Sequence, residues 1–132
     1  MKVLVDTCVW SYALRKQGYE GSREVSLLEK LISQKDDIYC TGIILQELLQ
    51  GFTNPGQQKL IIKNFNSLPF IVPSKDDHIE AAELKNTCRK SGRTINTIDA
   101  LLAQLCIKHK LLLLTNDKDF NYISESFSLK LL

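Results

Sequence analysis

The 132-residue sequence, 44% hydrophobic and 24% charged, is long enough to bury one core, so a single domain over residues 1–132 is expected. The composition excludes a disordered or collagen-like chain, and a net charge of +2 with a pI near 8.3 is too mild to announce a strongly basic nucleic-acid binder. No run approaches the roughly 18 apolar residues of a membrane span, and Met1-Lys2-Val3 leads into a strand without a signal-peptide pattern, which predicts a cytoplasmic protein with no membrane partner.

The chain opens on Lys2-Val3-Leu4-Val5-Asp6, a short continuous apolar run ending in an acid. Buried parallel strands read this way, and in open α/β sheets ligands bind off their carboxyl ends. Asp6-Thr7 then caps a short helix carrying Val9, Trp10 and Ala13, broken by residues 17–22. Ser22 is an N-cap for a helix over 23–34 with Val25, Leu27, Leu28, Leu31 and Ile32 forming its apolar stripe. Lys35-Asp36-Asp37 is a polar turn, and 38–41 is a second strand.

Residues 43–50 are apolar nearly all round, which predicts a buried helix closed by Gly51. Asn54-Pro55-Gly56 is a turn signal before a helix over 57–65 with Leu60, Ile61 and Phe65 inward. The short strand in 68–73 is bracketed by prolines. Ser74 caps the longest helical pattern, running to Ser91 with Ile79, Ala82 and Leu84 as core positions and Gly92 ending it. A second mostly apolar helix over 97–107 exits through Lys108-His109-Lys110. Leu111–Leu114 is a buried strand, 115–120 a turn with a short helix through Tyr122, and 127–132 a last strand. Strands alternating with helices predict an α/β, three-layer α/β/α sandwich with a mainly parallel sheet of four or five strands. Cys8, Cys40, Cys88 and Cys106 show no Cys-x-x-Cys pair and no zinc spacing with His78 or His109, so four buried thiols are expected.

Four acids stand out against this pattern. Asp6 and Asp117 follow strand ends, while Glu47 and Asp99 project from apolar helices, Glu47 sharing a face with Ile44 and Leu48, and Asp99 with Leu102, Ala103 and Cys106. Each has a plain structural reading: Glu47 with Gln50 as a solvent stripe, Asp99 as a first-turn acid capped by Asn96 or Thr97, and Asp117 or Asp119 as an N-cap. Taken together, gathered carboxylates repel unless a divalent cation sits between them. Oxygen-only donors favour Mg²⁺ or Mn²⁺ over Zn²⁺. A cation of this kind lowers the pKa of its bound water, so no Ser, Cys or His nucleophile is needed to break a phosphodiester.

The segments Val5-Asp6-Thr7-Cys8-Val9-Trp10, Glu47-Leu48-Leu49-Gln50-Gly51, Thr97-Ile98-Asp99-Ala100-Leu101-Leu102-Ala103 and Leu114-Thr115-Asn116-Asp117-Lys118-Asp119-Phe120 resemble, in order, the motifs of PIN-domain ribonucleases, in particular VapC-type toxins. The resemblance implies an α/β/α sandwich, Mg²⁺- or Mn²⁺-dependent endoribonuclease activity on an RNA substrate, homodimerisation, and neutralisation by a cognate antitoxin whose tail occupies the acidic pocket. Carried over by motif, Asp6, Glu47, Asp99 and Asp117 are the catalytic and metal-binding acids, with Asp119 a rival to Asp117. Thr115 matches a hydroxyl position near the metal, Thr7 is a cap, and Cys8 stands where the family often carries a small hydroxyl residue. Arg89, Lys90 and Arg93 lead toward Asp99 and are candidates to grip RNA phosphates, against the plainer reading of a solvated basic turn.

Two other phosphoryl chemistries fit less well. A haloacid-dehalogenase-type phosphotransferase needs a second Asp two residues after the first, where this chain has Cys8, and a receiver-like domain needs an acid ending a middle strand. The rival from another class is a non-catalytic PIN-like module that binds RNA or protein, which would tend to have lost some of the acids.

Overall fold

The computed structural model describes residues 1–15 and 22–132. The expected break over 17–22 therefore lies outside the described residues except for Ser22. In chain order the elements are β1 (Lys2–Val5), α1 (Thr7–Leu14), α2 (Arg23–Ser33), β2 (Asp37–Thr41), α3 (Gly42–Gly51), α4 (Pro55–Phe65), β3 (Phe70–Ile71), α5 (Lys75–Lys90), α6 (Thr97–His109), β4 (Leu112–Leu114), α7 (Asp119–Ser126) and β5 (Lys130–Leu131). The strands hydrogen-bond in the order β3-β2-β1-β4-β5. Val3 pairs with Ile38, Cys40 with Phe70 and Leu112 with Lys130, all in parallel register. This is the α/β class with a parallel sheet that the alternation of strands and helices predicted.

The chain divides into two compact units, residues 1–72 with 114–116, and residues 73–113 with 117–132. In the first, Val3, Leu4 and Val5 are fully buried, as a strand covered on both faces requires. Asp6, Ser22 and Asn54 cap α1, α2 and α4, each side chain accepting a backbone N–H of the first turn. The Asn54-Pro55-Gly56 signal is thus the start of α4 with proline in its first turn, where the missing N–H costs nothing. Trp10 of α1 packs its ring against Phe65 at 4.8 Å, and the Arg15 guanidinium lies 5.5 Å from the Phe52 ring centre.

Three expectations for this unit need correction. Asp37 belongs to β2 and not to the turn before it. Helix α3 fully buries only Ile44 and Leu48, because a helix of under three turns packed on one side has one inward face whatever its composition. Ile32 and Leu60, expected in the core, are 54% and 57% exposed, the inward places being taken by Leu28, Leu31, Ile61 and Phe65.

In the second unit, α5 begins with a capping box in which Ser74 Oγ accepts the Asp77 N–H at 3.2 Å and Asp77 Oδ2 accepts the Ser74 N–H at 2.7 Å. The core face of α5 is Asp77, Ala81, Leu84 and Cys88; Ile79, expected inside, is 48% exposed and Ala82 is exposed as well. The i, i+4, i+7, i+11 set starts from the cap, so a buried acid and not an apolar residue sets its phase. Gly92, at φ 82°, ends the segment in the left-handed region that glycine enters without strain. Lys85 donates its ammonium to the Ile95 carbonyl, tying the loop before α6 to α5. Helix α6 ends on Lys110, also left-handed at φ 54°. The last strand is only Lys130–Leu131, since α7 extends to Ser126 and takes Phe120 and Ile123 into the core.

Asp77 also accepts the Lys108 ammonium of α6 at 2.6 Å. That bond, with the capping bonds, holds the Asp77 carboxyl down at about 2, and the same contact pushes Lys108 up. A carboxyl lowered on folding contributes stability above its unfolded pKa of about 3.9 and loses it as pH falls toward 2. Asp77→Ala is expected to lower urea stability at pH 7 by about 1–3 kcal/mol, from the lost cap and a half-exposed ion pair. Repeated near pH 2, the two denaturation curves should converge.

Candidate active site

In the first unit the site is built on Asp6, only 7% exposed at the end of β1. Its backbone N–H donates to the Leu114 carbonyl at 2.9 Å, which fixes it beside the residue preceding Thr115. Oδ1 accepts the Thr7 N–H at 2.8 Å as the cap of α1. Oδ2 accepts the Thr115 hydroxyl at 2.8 Å and the Cys8 thiol at 3.5 Å. A buried carboxylate is tolerated because its oxygens have donors.

Glu47 is half-buried on α3, and its Oε1 accepts the Thr7 hydroxyl at 2.8 Å. Thr7, expected as a cap, is therefore the residue that holds Glu47, and Asp6 is the cap. Both are capping types at a helix start, so only the fold separates their roles. Thr115, expected to orient a metal water, donates to Asp6. Cys8, expected buried, is half-buried; burial and then the Asp6 charge push its thiol up to about 11.

In the second unit Asp99, Asp117 and Asp119 each offer a carboxylate oxygen, and the three oxygens lie within 4.8 Å of one another. Asp99 is 7% exposed in the first turn of α6, and the Asn96 cap holds it twice: Oδ1 accepts the Asp99 N–H at 2.8 Å and Nδ2 donates to Asp99 Oδ2 at 2.9 Å. Asp117 Oδ1 accepts the Asp119 N–H at 3.0 Å, aligning the start of α7. Asp117 and Asp119 thus both lie in the same cluster as Asp99. The second Asn96 bond was missed; the i, i+3 spacing of Asn96 and Asp99 is its trace in the sequence. Of the basic candidates, Arg89 and Lys90 are exposed in the last turn of α5, while the Arg93 guanidinium sits 4.9 Å from the ring centre of Tyr122 on α7.

Two oxygens on one Ca²⁺ lie at most about 5 Å apart and two on Mg²⁺ at most about 4.2 Å, so the Asp99, Asp117 and Asp119 donors, within 4.8 Å of one another, suit a hard cation, the smaller ions after the side chains draw in by a few tenths of an ångström. Their hardness and the lack of a His or Cys among them disfavour zinc there.

The sequence matches the PIN domain family over residues 3–125. The chain belongs to the PIN domain family. This PIN domain is 29% identical to the VapC ribonuclease Mb1587 of Mycobacterium bovis, over 97% of this chain and 96% of that protein. In fold it is similar to VapBC2 from Rickettsia felis bound to a promoter DNA fragment, with a TM-score of 0.77 at 24% identity over 100% and 98% of the two chains. It is likewise similar to the DNA-bound VapBC from Salmonella typhimurium, with a TM-score of 0.78 at 15% identity over 100% and 97%. No helix among the described residues of this PIN domain is long and apolar enough to cross a membrane.

Carboxylates this close repel one another when ionised, and a cation among them would relieve the repulsion. Asp117→Asn, which keeps the acceptor for the Asp119 N–H, is expected to raise metal-free stability by up to about 1 kcal/mol. The same variant should lose most of the rise in Tm that Mg²⁺ or Mn²⁺ produces in the native chain, as read by thermal unfolding with and without cation.

Proposed function

We propose that residues 1–132 form one PIN domain that cleaves RNA phosphodiester bonds endonucleolytically with Mg²⁺ or Mn²⁺, acting in the cytoplasm as the toxin of a toxin–antitoxin pair. The observation that carries this is the oxygen-only donor cluster of Asp99, Asp117 and Asp119. The metal-binding and catalytic acids are Asp6, Glu47, Asp99 and Asp117, with Asp119 supporting. When bound, the cation supplies positive charge at the scissile phosphate and acidifies a water. The chain's own residues do the placing: Thr115 and the Thr7 N–H hold Asp6, the Thr7 hydroxyl holds Glu47, and Asn96 holds Asp99. Arg89, Lys90 and Arg93 offset the acidic field so that an RNA backbone can approach.

The name ribonuclease carried by the Mycobacterium bovis relative supports the activity. The VapBC names of the structures similar in fold support an antitoxin partner. An apolar groove in the first unit, about 460 Å³, suits an amphipathic antitoxin helix; Trp10, Leu14, Leu28, Ile32, Ile61 and Leu68 are among its lining. A homodimer is part of the same reading.

Single-stranded RNA incubated with the purified chain and Mg²⁺ or Mn²⁺ should be cut internally, and chelation should stop it. Asp6→Asn and Glu47→Gln should each slow cleavage by at least about 10–100-fold. Equal cleavage by all three proteins would overturn the assignment in favour of a binding module or a contaminant. Sedimentation should give a particle of twice the 15.0 kDa chain mass; a monomer at micromolar concentration would contradict the dimer.

A further inference from the structure

Tyr122 lies three residues after Asp119 on α7, so the two side chains share a face of that helix one turn apart, and Asp119 belongs to the acid cluster. The Arg93 guanidinium lies over the Tyr122 ring, 4.9 Å from its centre. Arg93 is exposed and Tyr122 half-buried. The guanidinium has no hydrogen-bond or ion-pair partner among the described residues, although the three clustered carboxylates belong to the same unit. Its N–H groups are therefore uncommitted while its plane is held. Both halves of the stack are anchored. The Arg93 N–H donates to the Cys88 carbonyl at 2.9 Å, and two residues on the carbonyl of buried Ile95 accepts the Lys85 ammonium. Helix α7 is fixed by Phe120 and Ile123, both fully buried. A planar cation on an aromatic base, presented from anchored backbone, binds a ligand at little ordering cost.

We infer that the Arg93–Tyr122 stack is a nucleobase seat beside the acid cluster: the base of a nucleotide adjoining the scissile phosphate stacks on the outer face of the guanidinium, with the Tyr122 ring behind it. Single-stranded RNA offers unstacked bases to aromatic rings and guanidinium planes, and duplex RNA does not. Every base has a π-face, so the seat selects the state of the strand and not its sequence. The inference rests on the RNA substrate proposed above. It adds a role for Tyr122, and a role for the plane of Arg93 as distinct from its charge.

Binding of the full chain to two fluorescent oligomers of equal length is measured by anisotropy in EDTA. One is single-stranded RNA, and the other is the same ribose-phosphate backbone without bases. The native chain should prefer the RNA. Tyr122→Leu and Arg93→Lys should each weaken RNA binding by roughly 5–150-fold, the span of one stacked base, and leave binding of the base-free backbone unchanged. Tyr122→Phe should bind as the native chain does. Because Tyr122→Leu removes no charge, the slope of its RNA affinity against salt should match the native slope. A phosphate grip alone would leave Arg93→Lys near native on both oligomers. Far-ultraviolet circular dichroism checks that the variants are folded. Equal native affinity for the two oligomers, unchanged RNA binding in either variant, or an equal loss on the base-free backbone overturns the inference. Cleavage is read separately with Mg²⁺ or Mn²⁺. RNA that is cut by a chain with no preference for bases sinks the seat alone; a preference for bases without cleavage sinks the nuclease reading and leaves the seat standing.

Discussion

One buried carboxylate organises the first unit. Asp6 sits where a fully buried apolar strand stops, and its two oxygens take three donors: the Thr7 N–H, the Thr115 hydroxyl and the Cys8 thiol. An unpaired ionised carboxylate in such a place would cost several kcal/mol, so the donors are a condition of the strand ending there. All three are neutral. They orient the acid through a backbone amide, a hydroxyl and a thiol. The same economy holds for Glu47, bonded to a threonine hydroxyl, and for Asp99, bonded to an asparagine amide.

The contrast within the second unit makes the point sharper. Asp77 is as buried as Asp99, but it caps its helix and pairs with Lys108, so its charge is spent on holding α5 to α6. Asp99 has an amide for a partner and two further acids close by.

How far the sequence alone reaches can be judged from particular residues. The run before Asp6, the Ser74 and Ser22 caps and the Gly92 stop were all legible, and the cap of α6 was narrowed to Asn96 or Thr97, because strand burial and capping are decided within a few residues. Ile32, Leu60 and Ile79 were misplaced because periodicity counts apolar positions and does not say which of several apolar stripes faces a neighbour. The acids were singled out by their places at strand ends and on apolar helices. Their supports were not: whether Thr7 caps a helix or holds Glu47, and whether Cys8 packs or meets Asp6, depends on partners 40 and 2 residues away whose approach only the folded chain sets.

The central claim is that these carboxylates are a site for a hard divalent cation. Crystals of the chain soaked in Mn²⁺ and measured for anomalous scattering test it most directly. The account requires a manganese peak within about 2.0–2.6 Å of carboxylate oxygens of Asp99, Asp117 and Asp119. Ordered carboxylates with no manganese among them, from a preparation whose RNA cleavage depends on Mn²⁺, would contradict it.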